Sequence, residues 1–498
     1  MPYFRRILVA NRGEIALRVI RTAHELGIES VAVYSDADRN ALHVRRSSHA
    51  LHIGGSEPSE SYLDADKILD ACRRSGADAV HPGYGFLSEN AAFAQACTDA
   101  GIEFLGPPPD AIAKMGDKVA ARRIAQQAGL PLVPGLQEDI DESQLAGEAR
   151  KIGFPVMLKA AAGGGGKGIR IVEDEAGLVE AWQMARAEAK GAFNDDRVYL
   201  EKFVTRPRHV EIQVFADKHG NVVAYGEREC SVQRRHQKLV EESPCVAITE
   251  EMRAAMSKAA CDLASAVGYV GAGTVEFLFS EGEFYFLEMN TRLQVEHPVT
   301  EMRFGVDLVE EQIRVGAGEE LRPVPQPQGH AIEVRVNAED PTTYFPSLGR
   351  ITRLNMPGGP GVRLDTSLFR GLEVTPYYDS MLGKVIVHAE DRKRAIARCL
   401  RVLRELRIVG VATSVAVATR TLASSEFASG DYDTAILERV DDKPPASRGD
   451  LVMLAAAAAR FLGAERAGAA GAGAGESSAR TPRWALIGRA EQMRRPLK

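Results

Sequence analysis

Glu276, Glu288 and Asn290 are the residues whose types and spacing most directly imply chemistry. They stand in Thr274-Val-Glu-Phe-Leu-Phe279 and in Phe284-Tyr-Phe-Leu-Glu-Met-Asn290, two β-branched and aromatic runs separated by Ser280-Glu-Gly-Glu283. Such runs around a turn signal predict a β-hairpin, which places the two glutamates on paired strands and Asn290 just past the end of the second. Two carboxylates and an amide oxygen form a hard, all-oxygen cradle. It suits Mg²⁺ or Mn²⁺, which accept few protein carboxylates and keep positions open for nucleotide phosphates. Arg292, Gln294 and Glu296 follow at a spacing of two, so an extended segment gives them one face. A cation, an amide and a carboxylate beside a metal can hold a small anion and take a proton from it.

A second element carries phosphate chemistry. Phe154–Lys159 predicts a strand and Ile169–Val172 another, with Ala160-Ala-Ala-Gly-Gly-Gly-Gly-Lys-Gly168 between them. The consecutive Gly163, Gly164, Gly165 and Gly166 let backbone N–H groups close on phosphate oxygens, because no Cβ blocks the approach. Lys159 is placed to neutralise phosphate charge. The loop lacks the order Gly-x-x-x-x-Gly-Lys-Ser/Thr and is followed by a strand, so it is not a P-loop.

Further strings accompany these two: Met115-Gly-Asp-Lys118, Glu201-Lys-Phe-Val204, Arg208-His-Val-Glu211 and Glu229-Cys-Ser-Val-Gln-Arg-Arg-His-Gln-Lys238. Ala10-Asn-Arg-Gly-Glu-Ile-Ala16, His81-Pro-Gly-Tyr-Gly-Phe-Leu-Ser-Glu-Asn90, Arg335-Val-Asn-Ala-Glu-Asp340 and Tyr377-Tyr-Asp-Ser-Met381 complete the set. In this order, over roughly residues 1–445, the chain closely resembles the biotin carboxylase component of biotin-dependent acyl-CoA and pyruvate carboxylases, in the ATP-grasp superfamily.

The resemblance implies a reaction in which ATP, bicarbonate and carrier-linked biotin give ADP, phosphate and carboxybiotin. Glu296 is then the general base for bicarbonate, with Arg292, Gln294 and the backbone N–H of Val295 orienting the anion. Mg²⁺ on Glu276 and Glu288, with Lys238, Lys118 and Lys159, lowers the charge barrier to phosphoryl transfer. Arg335 matches the arginine that stabilises the biotin enolate. Glu201, Lys202 and Val204 match the adenine hinge, and His209, Gln233 and His236 match ribose and phosphate neighbours. Leu278 joins the nucleotide contacts. The chain departs from the family pattern where Lys167 stands in place of an arginine, and Ala161 and Ala162 in place of serine or glycine. Lys167 keeps the charge and loses the planar fork. Another ATP-grasp ligase joining a carboxylate to an amine shares the metal and loop features, but the strings at Arg292–Glu296 and Arg335–Asp340 favour bicarbonate and biotin. A non-catalytic nucleotide-gated assembly protein fits poorly, since every expected position holds the required residue type.

The elements that must position these groups follow from the rest of the chain. At 498 residues it is too long for one core. Strands and helices alternate over residues 1–114, predicting a parallel α/β layer. Residues 115–330 form the ATP-grasp part, with a glycine-loop lid at about 132–203. Residues 331–446 form a C-terminal α+β domain. Residues 447–498 form an Ala/Gly-rich tail, expected to be partly disordered. The overall expectation is an α/β and α+β, ATP-grasp architecture with a mobile lid. Net charge is −6, which gives no general attraction to nucleic acid or anionic membrane, and Arg234-Arg235 lacks aromatic interleaving. No signal peptide or membrane-length apolar run is seen. The six cysteines lack metal-ligand spacing and fit a reduced cytoplasm. Cys230, inside the nucleotide-site string, is expected to be semi-exposed and without a catalytic role. The sequence has no Met-Lys-Met biotinylation string, so biotin arrives on a biotin carboxyl carrier protein and leaves to carboxyltransferase subunits. A homodimer is the family's common form. The acyl acceptor stays open among acetyl-CoA (fatty acid biosynthesis), propionyl-CoA, another acyl-CoA and pyruvate.

Overall fold

The computed structural model describes residues 3–136, 141–160, 169–193, 196–234 and 237–441. Gly163 to Gly166, Lys167, His236 and the tail therefore lie outside the described residues.

Continuous apolar runs build the first layer. Strands β1 (Arg6–Val9), β2 (Glu29–Ser35), β3 (His49–Gly54), β4 (Ala79–His81) and β5 (Glu103–Phe104) form a parallel sheet in the order β3-β2-β1-β4-β5. Ile7, Leu8, Val9, Val31 and Val33 are fully buried, as parallel strands covered on both faces require. The helix Gly13–Glu25 buries Ile15, Val19, Ile20 and Ala23, a 3.6-residue stripe. The Asn11-Arg-Gly-Glu and His81-Pro-Gly-Tyr strings meet here. Asn11 Nδ2 donates to the carbonyls of Pro82 (2.7 Å) and Tyr84 (2.8 Å). Gly83 has φ +63°, and a Cβ there would stand 2.9 Å from Asn11 Nδ2. A side chain at that position would clash with the staple that turns the strand end toward the site.

Four short strands, β6 (Gly135–Leu136), β7 (Val156–Ala160), β8 (Ile169–Val172) and β9 (Val198–Lys202), form an antiparallel sheet ordered β6-β9-β7-β8. It has its own core of Leu145, Val156, Leu158, Val172, Trp182, Val198 and Leu200, shared with the helices Glu142–Ile152 and Leu178–Phe193.

The largest layer is an antiparallel sheet of eight strands. It contains β10 (Arg208–Ala216), β11 (Val222–Arg234), β12 (Gln237–Ser243), β13 (Gly271–Ser280), β14 (Glu283–Asn290) and β15 (His330–Asn337). Beyond two small ladders, β16 (Gly349–Arg350) with β19 (Glu373–Val374) and β17 (Arg353–Asn355) with β21 (Arg407–Val409), it adds β18 (Val362–Thr366) and β20 (Met381–Ala389). The order is β14-β13-β10-β11-β12-β15-β20-β18. At one end the helix Glu250–Ala266 packs Met256, Ala260, Leu263 and Ala264 on Val210, Ile212, Val275 and Phe277. At the other, the helix Arg392–Glu405 packs Ala395, Cys399 and Val402 on Val334, Val336 and Val387. The opposite face carries the site. Among the described residues no helix is long and apolar enough to cross a membrane.

Candidate active site

The hairpin expected at residues 274–290 is present as β13 and β14. Its turn holds Glu281 at φ +51° and Gly282 at φ +81°, the two positive angles of a tight hairpin turn. Glu276 faces Glu288 in register, and the register shifts immediately afterwards, so that Phe277 faces Phe286. This β-bulge decides which way Glu288 points. Phe286 and Met289 both enter the core beneath, while Leu287 is left 39% exposed. Strict alternation would put Phe286 and Glu288 on one face; the extra residue separates them and brings Glu288 round to the side of Glu276 and Asn290. Asn290 is the last residue of β14 rather than one beyond it.

Lys238 is the centre of the cluster. Its ammonium donates to Glu296 Oε1 (2.6 Å), Glu211 Oε2 (2.7 Å) and Glu276 Oε1 (3.0 Å). Arg335 donates from Nη2 to Glu296 Oε2 (3.0 Å) and from Nε to Glu241 Oε1 (2.6 Å). Both oxygens of the expected base are thus held by the two expected cations. Glu276 also accepts from Gln294 Nε2 (2.9 Å) and Asn290 Nδ2 (3.0 Å), and its second oxygen lies 3.0 Å from His209 Nε2. Gln233 Nε2 reaches His209 Nδ1 at 3.3 Å. Arg292 donates to Asn290 Oδ1 (3.0 Å) and to Glu89 Oε2 (2.8 Å), while Glu89 Oε1 accepts the Thr291 N–H (3.0 Å). The His81–Asn90 string therefore reaches the site through its glutamate. The Val295 carbonyl accepts from Lys384 Nζ (2.5 Å).

The nucleotide-side residues sit on the smaller sheet and its approach. Lys159 pairs with Glu201, whose other oxygen lies 3.1 Å from Arg122. The Lys202 ammonium is tied to the carbonyls of Gly153 (2.9 Å) and Phe154 (3.2 Å), and its backbone N–H to Pro134 (2.7 Å). With its ammonium and its N–H both engaged, Lys202 has its backbone carbonyl left for a ligand. Val204 follows, half-buried. Leu278 stands opposite His209 in the β10–β13 ladder. Lys118 is exposed at the start of the helix Lys118–Gln127, and its charge acts on Glu288.

Three family models match the chain. Residues 3–112 match "Biotin carboxylase, N-terminal domain", 117–324 match "Carbamoyl-phosphate synthase L chain, ATP binding domain", and 333–439 match "Biotin carboxylase C-terminal domain". The chain is 52% identical to the chloroplastic biotin carboxylase of Arabidopsis thaliana over 88% of its own length and 83% of the relative's. It is 50% identical to a pyruvate carboxylase subunit of Methanothermobacter thermautotrophicus, over 86% and 89%. The chain belongs to the biotin carboxylase family. Among solved structures, the biotin carboxylase domain dimer of Hydrogenobacter thermophilus 2-oxoglutarate carboxylase, in complex with MgADP, ADP and bicarbonate, superposes with a TM-score of 0.80 at 45% identity. That match covers 89% of this chain and 99% of the other. As a biotin carboxylase with an ATP-binding domain, the protein is an ATP-dependent ligase of ATP-grasp fold.

Electrostatics in this biotin carboxylase site follow from burial and the paired charges. Burial alone would raise the Glu296 carboxyl; Lys238, Arg335 and Arg228 more than reverse it and hold it well below the usual carboxylate range. Burial likewise opposes ionisation of Glu276, and Lys238 and His209 overcome it. Glu288 goes the other way, raised by burial and then by the charge of Glu276. It has no hydrogen bond or ion pair among the described residues. A carboxylate that no described side chain contacts directly, facing a second one, is what a divalent cation relieves, so Glu276, Glu288 and Asn290 fit such an ion. Ligand atoms of His209, Glu211 and Glu276, and of Glu211, Cys230 and Glu296, also lie within 4.8 Å of one another. The Lys238 ammonium contacts Glu211, Glu276 and Glu296, so an ion among them would face a positive charge.

Two further expectations are corrected. Arg292 to Glu296 is not an extended segment. The chain turns at Val295–Glu296, where the Gln294 carbonyl accepts from the His297 N–H (3.3 Å) and Nδ1 (2.8 Å), and the helix His297–Phe304 begins with Pro298 in its first turn. Proline there favours helix initiation. Arg292, Gln294 and Glu296 still converge, through the turn and not through a strand. Cys230 is fully buried, 3.9 Å from Glu296, because the middle of β11 is covered on both faces. The residues that sequence reasoning missed are Glu211, Arg228, Glu89, Glu241 and Lys384. Glu211 was signalled by its own string. Arg228 has no local signal: it is fully buried and donates to Glu211 (2.5 Å), Gln213 (2.7 Å), Thr274 (3.0 Å) and Thr300 (3.1 Å).

Proposed function

We propose that the Lys238–Glu296–Arg335 cluster carries the ATP-dependent carboxylation of carrier-linked biotin by bicarbonate, the first half-reaction of an acyl-CoA carboxylase. One observation supports this above the others. A single carboxylate, Glu296, is gripped between Lys238, which also contacts the metal-type Glu276, and Arg335, on the opposite side of the same group. Base, phosphate-side cation and biotin-side cation are therefore one hydrogen-bonded unit.

Bicarbonate binds beside Arg292, Gln294 and the Val295 N–H, which has no acceptor among the described residues. Glu296, kept ionised by Lys238 and Arg335, takes the bicarbonate proton without first having to lose one of its own. Attack on the γ-phosphate breaks the bond to ADP and gives carboxyphosphate, with Lys238, Lys118 and Lys159 bearing on the charge that moves. Glu276, Glu288 and Asn290 would hold a divalent ion, which would supply further neutralisation of phosphate charge. Carboxyphosphate divides into carbon dioxide and phosphate. The phosphate removes the ureido proton of biotin, Arg335 stabilises the enolate oxygen, and the enolate nitrogen attacks carbon dioxide. The residues matched to the nucleotide are Glu201, Lys202, Val204, His209, Gln233 and Leu278, together with Gly163 to Gly166 and His236. We divide the chain functionally as 1–114, 115–330, 331–446 and 447–498. A separate carrier protein, carboxyltransferase partners, a homodimer and the cytoplasm complete the proposal. A pyruvate-type carboxylase is the second reading, favoured by the Methanothermobacter relative.

The test is Glu296→Gln in the full chain. Bicarbonate-dependent ATP cleavage, with free biotin as acceptor, is expected to fall by about 10²–10⁴-fold, the usual weight of a general base, while MgADP binding is retained. Unchanged turnover refutes the assignment.

A further inference from the structure

Glu333 is the buried acid that the scheme above leaves unused. It lies in β15, and its register partners are Glu241 on β12 and Ile386 on β20. Its side chain is fully buried, and neither oxygen has a hydrogen-bond partner among the described residues. Glu241 is equally buried. Its Oε1 accepts from Arg335, and its Oε2 has no partner among the described residues. Three unpartnered oxygens thus belong to two glutamates that face each other across one ladder. Direct cross-strand partners carry their Cβ atoms about 4.5–5.5 Å apart, which leaves two carboxyl groups within reach of each other.

Buried polar atoms are rarely left unpaired, because nothing then offsets their loss of hydration. Two ionised carboxylates side by side away from water add repulsion to that cost. One proton between them removes the repulsion and pairs two of the three oxygens in a short charge-assisted O–H···O⁻ bond, leaving only the carbonyl oxygen of Glu333. The charged and titratable groups acting on the pair are Lys238 from β12, Arg335 from β15 itself, Lys384 from β20, and Glu296 from the turn before the packed helix. The cations are already engaged. Arg335 holds Glu296 and Glu241, Lys238 holds three other carboxylates, and Lys384 holds the Val295 carbonyl with Glu14 3.5 Å away. Burial is the largest influence on Glu333 and, with the charges of Glu241 and Glu296, outweighs Lys384 and Arg335 to favour its protonated form.

We propose that Glu333 and Glu241 share one proton, and that this dyad positions Arg335 for the biotin side of the reaction. With Glu333 as donor, Glu241 Oε2 is satisfied and Oε1 stays aimed at Arg335 Nε. That fixes the guanidinium plane, with Nη2 on Glu296. Glu333 touches no substrate in this arrangement; it acts through Glu241 and Arg335. The kinetic part rests on the role given to Arg335 above.

The experiment compares Glu333→Gln and Glu333→Leu in the full chain. A glutamine N–H donates to Glu241 Oε2 as the acid O–H does; leucine cannot. Biotin-dependent turnover is expected to fall by about 10²-fold in Glu333→Leu, the scale of a misplaced catalytic group. Glu333→Gln is expected to keep most of it. Bicarbonate-dependent ATP cleavage without biotin is expected to fall less than biotin-dependent turnover in Glu333→Leu, because Lys238 still holds Glu296, and to change little in Glu333→Gln. Infrared spectra at neutral pH should show the carbonyl band of a protonated, buried carboxylic acid in the unaltered protein and lose it in Glu333→Gln. Equal activity of the two variants, or a band that survives Glu333→Gln, overturns the proposal. The band decides on the dyad even if the protein lacks bicarbonate-dependent ATP cleavage, which would refute the functional reading alone.

Discussion

Replacing Lys238 by methionine keeps the length of the side chain and removes its charge. In the structure that charge serves Glu211, Glu276 and Glu296 at 2.6–3.0 Å, and the residue is 9% exposed. Breaking a buried pair by deleting one partner costs about 3–5 kcal/mol, because it strands a charge away from water. The cost is not three times that figure. Glu211 keeps Arg228 and Glu296 keeps Arg335, so Glu276, left with His209 and two amides, bears most of it. Lys238→Met is therefore expected to lose about 3–5 kcal/mol of unfolding free energy near neutral pH. The pH dependence has a definite sign. Glu276 and Glu296 have depressed folded-state pKa values. Their contribution is full above the unfolded value of about 4.3 and is lost as pH falls through the folded values. The variant lacks the cation behind that contribution, so its deficit is largest at neutral pH and shrinks as acid protonates the same carboxylates. Urea unfolding of both proteins across this range measures it. A deficit below ~1 kcal/mol, typical of an exposed pair, or one equally large in acid, would refute the reasoning.

Other expectations follow from the same geometry. Glu288→Gln removes the uncompensated carboxylate, so the Mg²⁺ concentration for half-maximal ATP cleavage should rise by about tenfold or more, as a metal titration would show; an unchanged requirement places the ion elsewhere. Gly282→Ala has open space for a Cβ but sits at φ +81°, so it should cost about 1 kcal/mol in unfolding free energy through the backbone alone.

How far the sequence spoke depended on how local each cause was. The hairpin at 274–290 was legible because alternation, β-branching and a turn signal lie within one short stretch. The bulge after Glu276 was not, since it depends on which side chains the helix Glu250–Ala266 accepts beneath the sheet. A strand period groups Arg292, Gln294 and Glu296, yet a turn and a proline-initiated helix assemble them. Arg228, Glu241 and Glu333 gave no signal because their partners come from other strands of the ladder, and a glutamate in a strand reads as solvent-facing until its neighbours are known. The glycine loop, His236 and the tail stay as sequence expectations.

The eight-stranded sheet has a consequence for dissecting the protein. β12 pairs with β15 from Val240–Val334 to Ser243–Ala331, so the backbone ladder crosses the point where the ATP-binding and C-terminal family models part. A fragment ending near residue 329 would strip β12 of its neighbour and bare a row of unsatisfied amides beside Glu241. Such an edge invites strand addition from another molecule. The fragment should therefore associate or precipitate rather than behave as a free-standing nucleotide-binding unit.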